Sequence, residues 1–300
     1  MNPMPRTVFQ QVLLIGKYQA PQAQRKLGEI AARLSRAGVE VWVGELTAQH
    51  TELPYPVLRS SELAERTAQG GWVAVVLGGD GTMLGAARRL APLKVPLVGI
   101  NAGRLGFMTD IADSDWEPAI DGLMAGDFER EERAMLSGAV ERAGQTIFSA
   151  IAVNDVVVNR NGASGLVELK VEVDGRFMYV QRADGLIVAT PTGSTAYALS
   201  AYGPILYPSV DGVVLVPIAP HTLSNRPIVL PGGADIVIEV VTPRDVSVNF
   251  DMQSYAELIG GDRIRIGQAP HRCVFLHPPG WSYFSTLRRK LHWHEVPDES

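Results

Sequence analysis

Two stretches of this chain combine residue types that could act on a phosphorylated ligand. The first is Gly78-Gly79-Asp80-Gly81-Thr82, set directly after the apolar run WVAVVL at 72–77 and before a helix-compatible segment, Met83 to Leu90. Glycines there allow positive φ and a close approach of ligand to backbone. The start of the following helix offers amides and a positive dipole end suited to phosphate. Asp80 changes the chemistry: a carboxylate beside a pyrophosphate repels it, unless a divalent metal lies between them or the carboxylate faces a hydroxyl. The spacing Gly79-x-Gly81-x-x-x-Gly85 misses the dinucleotide fingerprint by one residue, and no Walker A motif occurs. A carboxylate on a phosphate-friendly turn therefore fits phosphoryl transfer to a hydroxyl. The alternative is a tight turn in which Asp80 only caps the helix. The second stretch, DGLIVATPTGSTAY at 184–197, ends an apolar strand in a turn rich in hydroxyls and free amides, ahead of a helix-like Ala196 to Ser200. Here the alternative is a helix capped by Ser194 or Thr195.

The elements that must carry these turns fall into two halves. Val12 to Ile15, Val39 to Val43, Trp72 to Leu77 and Val95 to Ile100 read as strands, and Gln22 to Ala37 and Ser60 to Gln69 as helices between them. In the first helix Leu27, Ile30, Ala31 and Leu34 fall at helical spacing, and Gly38 offers a stop. Such alternation predicts a Rossmann-like parallel sheet with helices on its faces. After about residue 110 the pattern changes. A helix at Trp116 to Met124 is followed by strand signals, clearest in GLVELKVEVDG at 165–175. There Val167, Leu169, Val171 and Val173 point one way and Glu168, Lys170, Glu172 and Asp174 the other. Further runs at 184–190, 213–218, 235–241, 246–250, 263–266 and 273–276 predict an antiparallel β-rich domain. A helix over Ser285 to Leu291 is expected to return to the first domain. The boundaries expected are residues 1–110 plus 284–300 for the α/β domain and 111–283 for the β-rich one.

With 300 residues, 27 Lys plus Arg and 32 Asp plus Glu, the net charge is −5, which argues against a protein built to hold nucleic acid through its general field. The single cysteine, Cys273, excludes an intrachain disulfide framework and a cysteine-based zinc site. No apolar stretch approaches a membrane span, and residues 1–20 lack the features of a signal peptide. A cytoplasmic location is expected, with neither membrane nor nucleic acid as partner.

Taken together, the motifs resemble those of the NAD kinase family. The match runs through GGDGT at 78–82, Asn101-Ala102-Gly103 with Leu105-Gly106-Phe107, Asn154-Asp155, DGLIVATPTGSTAY and Pro220-His221-Thr222-Leu223-Ser224, and on through Tyr283-Phe284 to Leu287–Trp293. GGDGT alone is shared with diacylglycerol and sphingosine kinases and with phosphofructokinases, whereas TPTGSTAY is far more specific. The resemblance implies an enzyme that uses ATP, or polyphosphate, and a divalent metal such as Mg²⁺ to phosphorylate the 2′-hydroxyl of the adenosine ribose of NAD. It implies that Asp80 is the proton acceptor and that Gly78, Gly79, Gly81 and Thr82 form the phosphate loop in a cleft between the domains. Contacts to NAD are implied for Asp80, Gly81, Asn154, Asp155, Arg182, Asp184 and Gln253, and for the adenine pocket Thr195, Ala196, Tyr197, Ala198, Leu199 and Ser200. An amide and a carboxylate side by side, as at 154–155, suit a vicinal diol, although a turn closing the preceding strand is the alternative. The metal ligands are not legible.

The chain departs from the family in having Asp155 where Glu is commoner, Ala183 for Gly, and Tyr202 within a usual Ala-Gly-Gly. His221 reads as structural rather than catalytic, and His292-Trp293-His294 as a solvated tail. Family members are homodimers or homotetramers. Competing functions are a lipid or sugar kinase sharing only GGDGT, which leaves TPTGSTAY unexplained, and a catalytically silent NAD(P)-binding sensor, which predicts loss of Asp80 or of the 154–155 pair.

Overall fold

A computed structural model describes residues 7–16, 21–103, 106–160, 165–222, 224–242 and 245–293; Leu105, Leu223 and His294 of the quoted motifs lie outside them. The chain divides into two compact units. The first comprises Met1–Glu131 with Cys273–Ser300, and the second Glu132–Arg272. The boundaries thus fall beyond residue 110 and ahead of residue 284, because the Trp116–Ala125 helix, the start of the Glu129–Arg133 strand and the Cys273–His277 strand belong to the first unit.

The first unit holds a seven-stranded sheet in the order Val57–Leu58, Glu40–Gly44, Gln11–Gly16, Trp72–Gly78, Leu97–Asn101, Cys273–His277, Glu129–Arg133. Its first six strands pair in parallel. Trp72–Gly78 is buried along its whole length, which is why it reads as an unbroken apolar run instead of an alternating one. The Pro21–Arg36 helix sets Leu27, Ile30 and Leu34 against Val12, Leu14, Val73 and Val75, each wholly buried. It stops at Gly38, whose φ of +80° any side chain would resist. The helix expected over 60–69 shortens to Leu63–Thr67.

One expected placement is overturned. The run at 273–276 is not part of the β-rich domain; it pairs in parallel with the 97–101 strand, Phe275 facing Leu97. Apolar along its whole length, it carried no period-2 signature to separate it from its antiparallel neighbours. The final helix, Tyr283–Leu291, does belong to the first unit, as expected.

The second unit is a sandwich of two six-stranded antiparallel sheets. Val167–Val173 belongs to one of them: Val167, Leu169 and Val171 are buried while the acidic and basic residues between them are half-exposed. Gly185–Ala189 sits in the middle of the other sheet, between Asp155–Arg160 and Gly212–Ile218. That sheet is covered twice. Leu186 and Val188 join the inter-sheet core, and Ile187 and Ala189 pack outward on Val157, Val214, Ala198 and Leu206. The 190–206 segment is therefore folded over the sheet as a lid of its own chain, and the hydroxyl-rich turn is held at its start. Among the described residues no helix is long and apolar enough to cross a membrane.

Candidate active site

Asp80 is the first residue of the Asp80–Leu90 helix, and the N-cap position belongs to Gly79. The Asp80 carboxylate turns to the 106–109 segment. Oδ2 accepts the N–H of Phe107 at 2.8 Å; Oδ1 accepts those of Met108 at 3.0 Å and Thr109 at 3.3 Å and the Thr109 hydroxyl at 3.3 Å. Each carboxylate oxygen offers about two acceptor positions; three donors crowd Oδ1, whereas Oδ2 takes one and keeps its second position open among the described residues. Asn101, 2% exposed, steadies the arrangement by donating from Nδ2 to Thr109 Oγ1 and accepting the Gly103 N–H. Gly106 is required because a Cβ there would overlap Asp80 Oδ1. The capping alternative for Asp80 is therefore excluded. None of Gly78, Gly79 and Gly81 adopts a positive φ; of the three, Gly78 is confined by proximity, since a Cβ would come within 2.7 Å of Thr82 Oγ1.

A second carboxylate organises the other unit in the same manner. Asp251, at φ +51°, accepts the N–H groups of Val153, Asn154 and Asp155 at 2.9, 2.8 and 3.2 Å. It thereby fixes the bend between the Gln145–Ala152 and Asp155–Arg160 strands on which the 154–155 pair stands. The 190–195 turn locks onto the same bend. Thr190 donates its hydroxyl to Val153 O at 2.6 Å and its N–H to Asn154 O at 2.8 Å, and it takes the Gly193 N–H at 3.1 Å. A Cβ on Gly193 would overlap the Asn154 carbonyl. Ser194 Oγ donates to Pro191 O and accepts from Leu206 N, and Thr195 Oγ1 donates to Thr192 O. Neither residue caps the Tyr197–Ser200 helix, so that alternative fails too. Asn154 Oδ1 and Thr192 Oγ1 are buried and unpartnered among the described residues. An unmade buried hydrogen bond costs about 1–3 kcal/mol, which a ligand's hydroxyl or amide would relieve.

Residues 12–128 match the family model described as the ATP-NAD kinase N-terminal domain, and 153–277 that of the ATP-NAD kinase C-terminal domain. The chain belongs to the NAD kinase family. It is 55% identical over 290 residues to an NAD kinase of Burkholderia mallei, covering 96% of this chain and 95% of that one. With an NAD kinase of a Polaromonas species it shares 54% over 291 residues, 97% and 99% of the two chains. Its fold matches the yeast NADH kinase solved with NADH, at a TM-score of 0.86 and 24% identity over 97% of this chain and 90% of that one. The Archaeoglobus fulgidus NAD kinase solved with ATP matches at a TM-score of 0.72 and 27% identity, over 94% and 98%.

The residues singled out by resemblance to NAD kinases are placed as follows. In the second unit, Asn154, Asp155 and the 192–195 turn come together through the bonds above. Tyr197 is 38% exposed and Ser200 is exposed, free to meet a ligand, while Ala196 and Leu199 are half-buried. Ala198 is wholly buried in the core beneath the turn, so only its backbone is available. Arg182 is largely exposed, 3.9 Å from Glu168, and Asp184 pairs with Arg160 at 2.9 Å. Gln253 is exposed beside Asp251. In the first unit, Gly81 and Thr82 follow Asp80 in the first turn of the helix. His221 is exposed and donates its N–H to Arg182 O, and His292 is exposed. Tyr202 is 93% exposed at φ +63°; the left-handed backbone explains why glycine is usual there in NAD kinases. Sequence reasoning missed Thr109 and Asp251 as carriers of the two bends. The only signal was an Asp directly after a strand, a residue that tolerates the left-handed region.

Asp155 is 3% exposed, and its carboxyl is pushed up to about 7, first by burial and then by the charge of Asp251. In the unfolded chain the group titrates near 3.9. Between these values the folded state binds the extra proton, so Asp155 costs stability as pH rises from about 4 to about 7. Asp155→Asn is expected to gain on the wild type by roughly 2–3 kcal/mol between pH 5 and pH 8. Urea unfolding of both proteins at the two pH values measures it; parallel pH dependences would contradict it.

Proposed function

We propose that this chain transfers the γ-phosphoryl group of ATP to the 2′-hydroxyl of the adenosine ribose of NAD, giving NADP and ADP. The observation that carries the reading is Asp80: a carboxylate on the glycine turn, fixed by three amides and a hydroxyl, with one acceptor position open for a substrate hydroxyl. The ribose oxygen attacks the γ-phosphorus, the bond to the ADP oxygen breaks, and the hydroxyl proton passes to Asp80 and then to solvent. In a loose transition state little deprotonation is needed early, so Asp80 first aligns the hydroxyl and accepts its proton late. Asn154, Asp155 and the 192–200 turn hold the dinucleotide.

For the donor, a cavity of about 520 Å³ opens at the carboxyl ends of the parallel strands in the first unit. Leu77, Ala102 and Gly103 line it, with Arg25 and Lys26 as cations and the carboxylates Glu29 and Asp113, both paired to Lys26, beside them. That end of a parallel sheet is where α/β folds bind ligands. Among the described residues no three His, Cys, Asp or Glu side chains gather as a metal cage. Mg²⁺ typically uses substrate phosphates, waters and one or two carboxylates, and this donor set fits a cation carried in by the nucleotide. When bound, it neutralises charge on the transferring phosphoryl group. We expect a homodimer or homotetramer in solution, which light scattering would show.

Incubation of the purified protein with NAD and Mg²⁺, with ATP and polyphosphate offered separately, tests the reading. NADP from ATP is the expected product. NAD binding without NADP from either donor would favour a silent sensor, and no NAD binding would overturn the reading of the 184–200 segment.

A further inference from the structure

His277 closes the Cys273–His277 strand and is 2% exposed. Its Nδ1 lies 2.7 Å from Asp110 Oδ2 and its Nε2 3.1 Å from Glu131 Oε2. Ionised carboxylates only accept, so both bonds together need both ring N–H groups, which only the imidazolium has. The Asp110 side chain is 3% exposed and that of Glu131 17%. Trp281 stacks on the ring at 3.9 Å between centroids and 11° between planes, and Phe275 lies 6.5 Å away on the same strand. Glu129, two residues before Glu131 on the same strand, accepts the Gly280 N–H. Removing one member of a buried, paired ionic group leaves an uncompensated charge and is strongly destabilising locally.

Asp110 directly follows Phe107, Met108 and Thr109, the residues whose N–H groups hold Asp80. The final helix touches the same turn, with Lys290 Nζ 5.6 Å from the centre of the Phe107 ring. The C-terminal return of the chain thus grips the turn at both its ends.

We propose that His277 is a positioning residue for Asp80: as an imidazolium tied to Asp110 and Glu131, it fixes the 107–110 turn and so the aim of Asp80 Oδ2 at the substrate hydroxyl. The proposal rests on the phosphoryl-transfer reading above. When the ring loses its second proton, one of the two bonds is lost and the turn loosens. Turnover then falls while NAD affinity, which resides in the other unit, is kept.

The test uses wild type, His277→Gln and Glu131→Gln as full-length proteins. Misplacing a catalytic group by about 1 Å costs on the order of 10²-fold. His277→Gln is expected to lower kcat by roughly 10- to 100-fold, leave KM for NAD within about twofold, and lose the alkaline limb of the kcat–pH profile. Glu131→Gln keeps an acceptor oxygen and should fall between the two. Amide exchange at 107–109 should quicken in His277→Gln relative to the rest of the sheet.

In the wild type, ¹⁵N NMR should show both ring nitrogens of His277 protonated at the pH of full activity. A neutral ring at that pH would overturn the proposal even if the variants fail to fold. Wild-type kcat in folded His277→Gln, or unchanged exchange at 107–109, would do the same. A wild-type protein that makes no NADP would instead overturn the kinase reading, with the NMR and exchange results still deciding the state of His277 and its hold on the turn.

Discussion

Asp80→Asn is expected to lower kcat for NADP formation by about 10²–10⁴-fold while binding NAD within a few-fold of wild type. The argument has two parts. Asparagine removes the proton acceptor on the one open position of Oδ2. It also puts an N–H₂ group where the Phe107 N–H now donates, so two donors face each other and the turn must yield. The first effect acts only on turnover, and the second adds misalignment of whatever remains. Steady-state kinetics with NAD titrated by calorimetry in parallel separate the two steps. A kcat near wild type would exclude Asp80 from the proton transfer, and a matching loss of NAD affinity would make it a binding residue instead.

Gly193→Ala should do the reverse, abolishing NAD binding and destabilising the second unit. The added Cβ would overlap the Asn154 carbonyl, and it also approaches the Asn154 Cα at 2.8 Å. These are backbone atoms that cannot rotate aside, and both belong to a bend pinned by Asp251 and Thr190. Overpacking of this kind costs about 1–3 kcal/mol. Here relief requires separating the 190–195 turn from the 154–155 pair, which breaks the two hydrogen bonds made by Thr190 as well. A lower urea midpoint together with loss of the NAD signal is expected. Retention of wild-type NAD affinity would mean that the turn and the pair do not act as one site.

Much of this was legible in the sequence. Trp72–Gly78 announced itself because a strand buried on both faces must be apolar throughout, and Val167–Val173 because a strand with one wet face must alternate. The glycine turn and Asp80 stood out by type and spacing. Less visible was anything that depends on distant backbone. Phe107, Met108 and Thr109 contribute N–H groups, which every residue except proline possesses, so no letter of the sequence marks them as partners of Asp80. The alternation rule also misled at 273–276, because an apolar strand reads alike in a parallel sheet and in a sandwich core. Ala198, carried over with its neighbours as a ligand contact, turned out to face the core. A four-residue helix turns its side chains in different directions, and the motif alone does not say which.

The place of the Cys273–His277 strand, between Leu97–Asn101 and Glu129–Arg133, has a consequence for how the protein is made. During synthesis the neighbours of that strand emerge well over a hundred residues before it does. Until the ribosome releases the last part of the chain, Leu97–Asn101 has an unfilled edge, and an open, apolar edge invites pairing with other chains. The second unit is encoded without interruption and has all its strands earlier, so it is free to fold while translation continues. Nascent chains arrested just short of Cys273 should therefore show a protease-resistant second unit beside a first unit that chaperones still hold.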